Sequence, residues 1–177
     1  MEDLNYEQIS NGKVSKCYKA GNIVKKIYNL ENNRMQYEIS ALTTLRHYRC
    51  FPYLYKVDKE NKTIYMSYVG ISFKDIKNKK DIPLNLQDQV DLLISYLKQN
   101  NIFHRDLSIS HFRVDNNILS LIDFEKCWFT KEQYDFNKTN NTGCWKKLNY
   151  HNMDYIKNII NNYLKITFKN DESILIF

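Results

Sequence analysis

The chain has 177 residues, enough to bury the core of one domain, and 26 lysines and arginines against 20 aspartates and glutamates give it a net charge of +6, with an isoelectric point near 9.0. Such a balance attracts phosphates, anionic lipid or nucleic acid at low salt, so contact with an acidic or membrane surface is one expectation, while most of the lysines read as solvated surface. Charge without a recognisable motif does not make nucleic acid an expected partner. Cys17, Cys50, Cys127 and Cys144 form neither a C-x-x-C pair nor a zinc spacing, which argues against a zinc ribbon and fits free thiols in a reducing compartment. The start, Met1 to Asn5, lacks a basic region followed by an apolar run, and no apolar stretch has the length to cross a bilayer, so a soluble, cytoplasmic protein is expected.

In chain order, Ile9-Ser10-Asn11-Gly12-Lys13-Val14-Ser15-Lys16-Cys17-Tyr18-Lys19 reads as two strands around a turn of small residues. The next strand is Ile23-Val24-Lys25-Lys26-Ile27-Tyr28. Strand alternation puts only Lys26 on the side of Val24 and turns Lys25 to solvent. A helix follows, with Asn32 and Asn33 as cap candidates and Ile39, Leu42 and Leu45 as its apolar stripe. Glu38 lies within that stripe. Pro52 to Asp58 and Thr63 to Gly70 form an antiparallel pair around the polar turn Lys59 to Lys62, and Lys74 to Lys80 reads as an exposed, charged connector. Leu86, Val90, Leu93, Ile94 and Leu97 mark a second helix that opens at Asn85 and closes at Asn100-Asn101. Beyond Cys127 the pattern fades through the polar segment Thr130 to Tyr150, interrupted by Gly143. A last helix is expected from about Met153 to Lys165 on Ile156, Ile159, Ile160 and Tyr163, with Asp154 placed to suit its dipole. The tail Ser173 to Phe177 is apolar and needs a groove, a partner or a membrane surface to cover it. No internal repeat or second domain is visible.

The chemistry lies between Asn100 and Cys127. Phe112-Arg113-Val114 and Ile118 to Ile122 form a hairpin around Asn116-Asn117, residues that tolerate the positive φ of a tight turn. Asp106 stands just before this hairpin and Asp123 at the end of its second strand. Phosphoryl transfer needs two such carboxylates, one to take up or orient the proton of an attacking hydroxyl and one to hold the divalent metal that bridges the nucleotide phosphates.

His104-Arg105-Asp106-Leu107 followed by Asp123-Phe124-Glu125 resembles the catalytic loop and metal-binding motif of protein-kinase-like enzymes. In the pattern H-R-D-L-x-x-x-N the metal-binding Asn stands five residues after the Asp, and that place holds His111 here. The variant H-R-D-L-x-x-x-H-F with L-I-D-F-E is most similar to the lipopolysaccharide core kinases, which phosphorylate sugars. The resemblance covers about Ile9 to Lys126 and implies a reduced kinase-like α+β fold. It would have a five-stranded antiparallel N-lobe with one helix and a small, mostly helical C-lobe, in one domain with N-lobe and hinge at 1–70 and C-lobe at 71–177. The chain is too short for all the C-lobe helices of a full kinase, and no A-P-E sequence marks an activation segment.

The same resemblance implies the roles. ATP with Mg2+ or Mn2+ would be the cofactors, and a hydroxyl on a protein Ser/Thr or a lipopolysaccharide-type sugar the acceptor. Asp106 would be the base, with Arg105 beside it in the catalytic loop, and Lys26 with Glu38 would form the phosphate clamp. Ile9, Gly12, Cys17, Val24, Met66 and the Ser67-Tyr68-Val69 backbone would line the nucleotide pocket. Asp123 and His111 would be metal ligands, although His111 could instead only hydrogen-bond Asp106. Asp154 could brace the catalytic loop rather than only serve its helix. Only Gly12 remains of the three glycines of the phosphate loop, and Glu125 replaces the Gly after Asp-Phe. A pseudokinase that binds a nucleotide or a partner without turnover is therefore the alternative to an enzyme.

Overall fold

In the computed structural model, residues 4–29, 34–129 and 153–168 are described. The first part of the chain builds one antiparallel sheet from β1 (Glu7–Asn11), β2 (Ser15–Ala20), β3 (Ile23–Tyr28), β4 (Leu54–Asp58) and β5 (Thr63–Ser67). Its strand order is β1-β2-β3-β5-β4. Alternation sorts the two faces of β3 as expected: Val24, Lys26 and Tyr28 are buried, while Ile23, Lys25 and Ile27 are only half-buried. Helix α1 (Arg34–Leu45) buries Glu38, Ala41, Leu42 and Leu45, positions spaced i, i+3, i+4 and i+7 that make one stripe. The apolar members of that stripe join Val24, Tyr28, Ile64 and Met66 in one core cluster. Asn32 and Asn33, the expected caps of α1, lie outside the described residues.

Gly70 makes the passage from this sheet to the second half. Its φ is +98°, and a Cβ there would lie 1.9 Å from the carbonyl oxygen of Val114, so a side chain has neither the conformation nor the space. The chain continues into the short strand β6 (Ile71–Ser72), which pairs with β7 (Phe112–Asp115), and β7 pairs in turn with β8 (Ile118–Leu121). The β7–β8 hairpin turns on Asn116 and Asn117 at φ 47° and 66°, the doubly positive geometry that suits a two-residue loop. Lys74 to Lys80 is more structured than a plain connector. Phe73 and Ile76 are fully buried there, and two 3-10 turns at Phe73–Asp75 and Lys79–Asp81 flank the buried Ile76.

Helix α2 (Leu86–Gln99) buries all five apolar positions of its stripe. It stops on a left-handed Asn101 at φ 52°. The Ile102 amide then reaches back to the Leu97 carbonyl at 2.9 Å and the Asn101 amide to Lys98 at 3.1 Å, which satisfies two carbonyls at the helix end. Gln89 fastens α2 to the hairpin, accepting from the Leu119 amide at 2.7 Å and donating to the Asn117 carbonyl at 2.9 Å. Helix α3 (Met153–Thr167) buries Ile156, Ile160 and Leu164 in the same core. Thr130 to Tyr150, the side chain of Asp154 and the tail Ser173 to Phe177 lie outside the described residues. Among the described residues no helix is long and apolar enough to cross a membrane.

Candidate active site

A cleft of about 760 Å³ runs between the five-stranded sheet and the β6–β7–β8 sheet. Ile9, Gly12, Cys17, Val24, Lys26, Met66, Ser67, Tyr68 and Val69 all line it, as do Glu38, His111 and Asp123. The nucleotide residues expected from sequence therefore share one cavity. Burial pushes the Cys17 thiol up to about 11, so it lies on the wall as a neutral group. The Ser67 amide is committed to the Tyr53 carbonyl and the Tyr68 amide to Asn22, both at 2.8 Å. Any base edge would be left to the Val69 amide and the carbonyls of this segment.

Lys26 is the centre of the charge network. Its Nζ donates to Glu38 Oε2 at 2.6 Å and to Asp123 Oδ1 at 2.7 Å, and Glu125 Oε2 stands 3.5 Å away. The Tyr28 hydroxyl donates to the same Glu38 oxygen. Burial opposes the ammonium charge, but Glu38, Tyr28 and Asp123 together hold Lys26 well above the ordinary lysine range. Asp123 is likewise disfavoured by burial, yet the adjacent Lys26 cation draws it down to about 2. Asp123 is thus an ionised carboxylate whose other oxygen, Oδ2, faces His111 Nε2 at 3.4 Å.

The catalytic-loop stretch is held by its own backbone. The Phe103 amide donates to the Trp128 carbonyl at 2.8 Å and the Trp128 amide returns to Phe103 at 2.9 Å, closing the entrance and exit of the stretch against each other. His104 is buried, with Nε2 at 2.8 Å from the Ile122 carbonyl. The Ile122 amide in turn donates to the His111 carbonyl at 3.0 Å, so two histidine positions grip the residue before Asp123. Arg105 and Asp123 have φ of 63° and 71°. Such values are costly outside glycine and persist where surrounding contacts over-determine the backbone. The Arg105 guanidinium lies over the Trp128 ring at 3.6 Å and does not line the cleft.

His111 makes two contacts at once. Nδ1 lies 2.6 Å from the backbone carbonyl of Asp106 and donates to it, which turns Nε2 toward Asp123, the ring orientation seen in histidines that bind metals. Ligand atoms of Asp106, His111 and Asp123 all lie within 4.8 Å of one another. Two carboxylates and an imidazole suit a divalent cation. The alternative in which His111 only bonds Asp106 holds for Nδ1, and through the backbone rather than the carboxylate.

Three residues outside the expected set complete the site. Glu125 Oε1 accepts from Arg34 Nη1 at 3.2 Å, and its second oxygen faces Lys26 as described. Lys126 Nζ donates to Asp106 Oδ2 at 2.5 Å. All three are charged, and Glu125 and Lys126 directly follow Asp123-Phe124, but their contacts cross about 20 to 100 residues of chain, for which the sequence offers no periodic signal.

A kinase of Cydia pomonella granulovirus has a similar solved structure, with a TM-score of 0.52 at 21% identity over 71% of this chain and 55% of that one. The fold is kinase-like. Among curated proteins, a probable bifunctional tRNA threonylcarbamoyladenosine biosynthesis protein of Methanocaldococcus jannaschii is 29% identical over 123 residues. A protein of the same description from Methanococcus maripaludis is 31% identical over 123 residues. Each match takes in 68% of this chain, which spans only about a fifth (22%) of the length of these relatives. No family model matches the chain. The structural likeness carries the kinase-like fold, and none of these likenesses agrees with the closer resemblance to lipopolysaccharide core kinases expected from His111, a position that one substitution defines and that does not identify an acceptor.

Proposed function

We propose that this chain is a nucleotide-dependent phosphotransferase of kinase or ATPase type, organised as one two-lobed domain with ATP in the cleft. The observation that carries this reading is the convergence of Lys26, Glu38, Asp123 and His111 on a single cavity, with Asp106 beside the last two. The kinase-like fold and the relatives support it.

In this reading the Glu38-held Lys26 would meet the α and β phosphates, and Val24 and Met66 would pack on the base. Asp123 and His111, with Asp106 nearby, would hold a divalent cation, Mg2+ or Mn2+, whose chemistry when bound is to neutralise phosphate charge. Asp106 would accept the proton of the attacking hydroxyl. Arg105, packed on Trp128, would hold the loop that carries Asp106. The acceptor is a protein hydroxyl or, for an ATPase, water. The names of the relatives favour a setting in tRNA modification over lipopolysaccharide assembly.

A binding module without turnover is the second reading. The observation that favours it is the direct Lys26–Asp123 contact of 2.7 Å, which occupies both the phosphate clamp and a metal ligand. Transfer from γ-labelled ATP decides between the two, scored as released phosphate and as label in the protein, lipid and small-molecule fractions of a lysate. The wild type should turn ATP over, and Asp106→Ala should lower turnover about 10²–10⁴-fold, as loss of a general base does, with nucleotide binding intact. Nucleotide binding without turnover in the wild type would establish the second reading. Wild-type turnover in Asp106→Ala would remove Asp106 from the role of base.

A further inference from the structure

We propose that Lys126 is a further catalytic residue, the cation that meets the transferred phosphoryl group, and that in the nucleotide-free protein it caps the base. This rests on the phosphotransfer reading above and extends it to a residue outside the expected motifs. Lys126 Nζ stands 2.5 Å from Asp106 Oδ2, and the two side chains are 39% and 37% exposed. The pair is therefore an open one, unlike the buried Lys26 network. Lys126 lines the cleft together with His111 and Asp123.

Three observations converge on this role. A phosphoryl group between ATP and a hydroxyl near Asp106 would carry negative charge on its peripheral oxygens, and a cation within reach of them lowers the barrier. From Leu107 through Ser110 the catalytic loop supplies no lysine or arginine of its own. Of the other cations lining the cleft, Lys26 is committed to Glu38 and Asp123 and Arg34 to Glu125, while Lys13, Lys74 and Arg113 line it without an ion pair to Asp106. Lys126 alone of these touches the carboxylate that faces the acceptor. An exposed ion pair is worth little in water, so the ammonium can leave Asp106 for a phosphate of higher charge at small cost.

The step balances without Lys126 being consumed. The acceptor oxygen forms a bond to the γ-phosphorus, and the bond from that phosphorus to the bridging oxygen breaks with its electron pair leaving on ADP. The acceptor proton goes to Asp106, which Lys126 has uncapped on moving to the phosphoryl oxygens. Lys126 keeps its protons throughout.

The test uses ADP with magnesium, with and without aluminium fluoride, which occupies the place of the transferred phosphoryl group. Affinities are measured by calorimetry or a fluorescent-nucleotide displacement assay. Lys126→Gln should weaken the ADP–aluminium fluoride complex about 10²-fold, the loss typical of one transition-state donor, and leave ADP alone within about twofold. Lys126→Arg should restore most of the difference. Equal losses for both ligands in Lys126→Gln, or no loss for either, would overturn the proposal, since the lysine would then be structural or idle. Failure of the wild type to bind ADP at all would instead sink the nucleotide reading beneath it.

Discussion

Lys26→Met should be a stability variant as much as a catalytic one. The side chains of Lys26 and Glu38 are only 4% and 1% exposed, and Asp123 and Glu125 crowd the same nitrogen. Removing the ammonium leaves these carboxylates facing one another without a counter-charge. Breaking one partner from a buried pair costs about 3–5 kcal/mol, which for a domain of this size lowers the melting temperature by roughly 6–20 °C. Lys25→Met sets the scale for comparison. It removes only cation contacts to the Tyr6 and Tyr65 rings at 5.7 and 5.9 Å, each worth about 0.5–1 kcal/mol. Urea and thermal unfolding of Lys26→Met, Glu38→Gln and the double variant form a cycle. The double variant should be more stable than the sum of the single losses by at least about 1 kcal/mol, since it removes both the charge and its orphaned partner. Nucleotide binding should vanish in Lys26→Met and persist in Lys25→Met. Single losses that add within about 0.5 kcal/mol would refute the buried-pair argument, and equal binding losses at the two lysines would put the strand register off by one.

The metal set is tested by His111→Asn, which exchanges an imidazole nitrogen for an amide oxygen. Wild-type activity with manganese should at least equal that with magnesium, and the variant should shift toward magnesium, which prefers hard oxygen ligands. An unchanged metal preference would remove His111 from the ligand set. His104 gives a separate pH signature. Burial holds its ring neutral, pulling it down to about 4 from the ordinary 6.5. The unfolded chain takes up this proton below about 6.5 and the folded one only near 4, so the stabilisation is complete above 6.5 and is lost as pH falls toward 4. The loss amounts to about 3 kcal/mol. Urea unfolding between these pH values should show it, and a variant without the imidazole, His104→Gln, should give a flatter curve. An equally steep curve in the variant would assign the acid sensitivity to other groups.

The parts of this molecule legible in its sequence are those encoded by periodicity or by a local turn. β3 was readable because two-residue alternation has one consequence for Lys25 and another for Lys26, and the buried face follows that rule. α2 was readable because five apolar residues at helical spacing and an Asn pair at the end define both its face and its stop. The hairpin was readable because Asn116-Asn117 is one of the few dipeptides that accept two positive φ values in a row.

The contacts the sequence concealed obey a different logic. Lys126 meets Asp106 across 20 residues, and Arg34 meets Glu125 across 91. A charged side chain beside a motif looks the same whether it faces water or the motif's own carboxylate. Glu125 illustrates this directly. From the sequence it is the residue that replaces a glycine and therefore counts against catalysis, whereas in the fold it is 8% exposed and bridges Arg34 and Lys26. Its carboxylate adds a third negative group around Lys26, and Arg34 supplies the compensating charge. The loss of the glycine is thus matched by a new ion pair rather than by an empty place, which weakens the main sequence argument for a degraded site. The same compensation makes Arg34 and Glu125 a coupled pair: substituting either alone would disturb Lys26, whereas substituting both would leave the Glu38–Lys26 contact that the phosphotransfer reading requires.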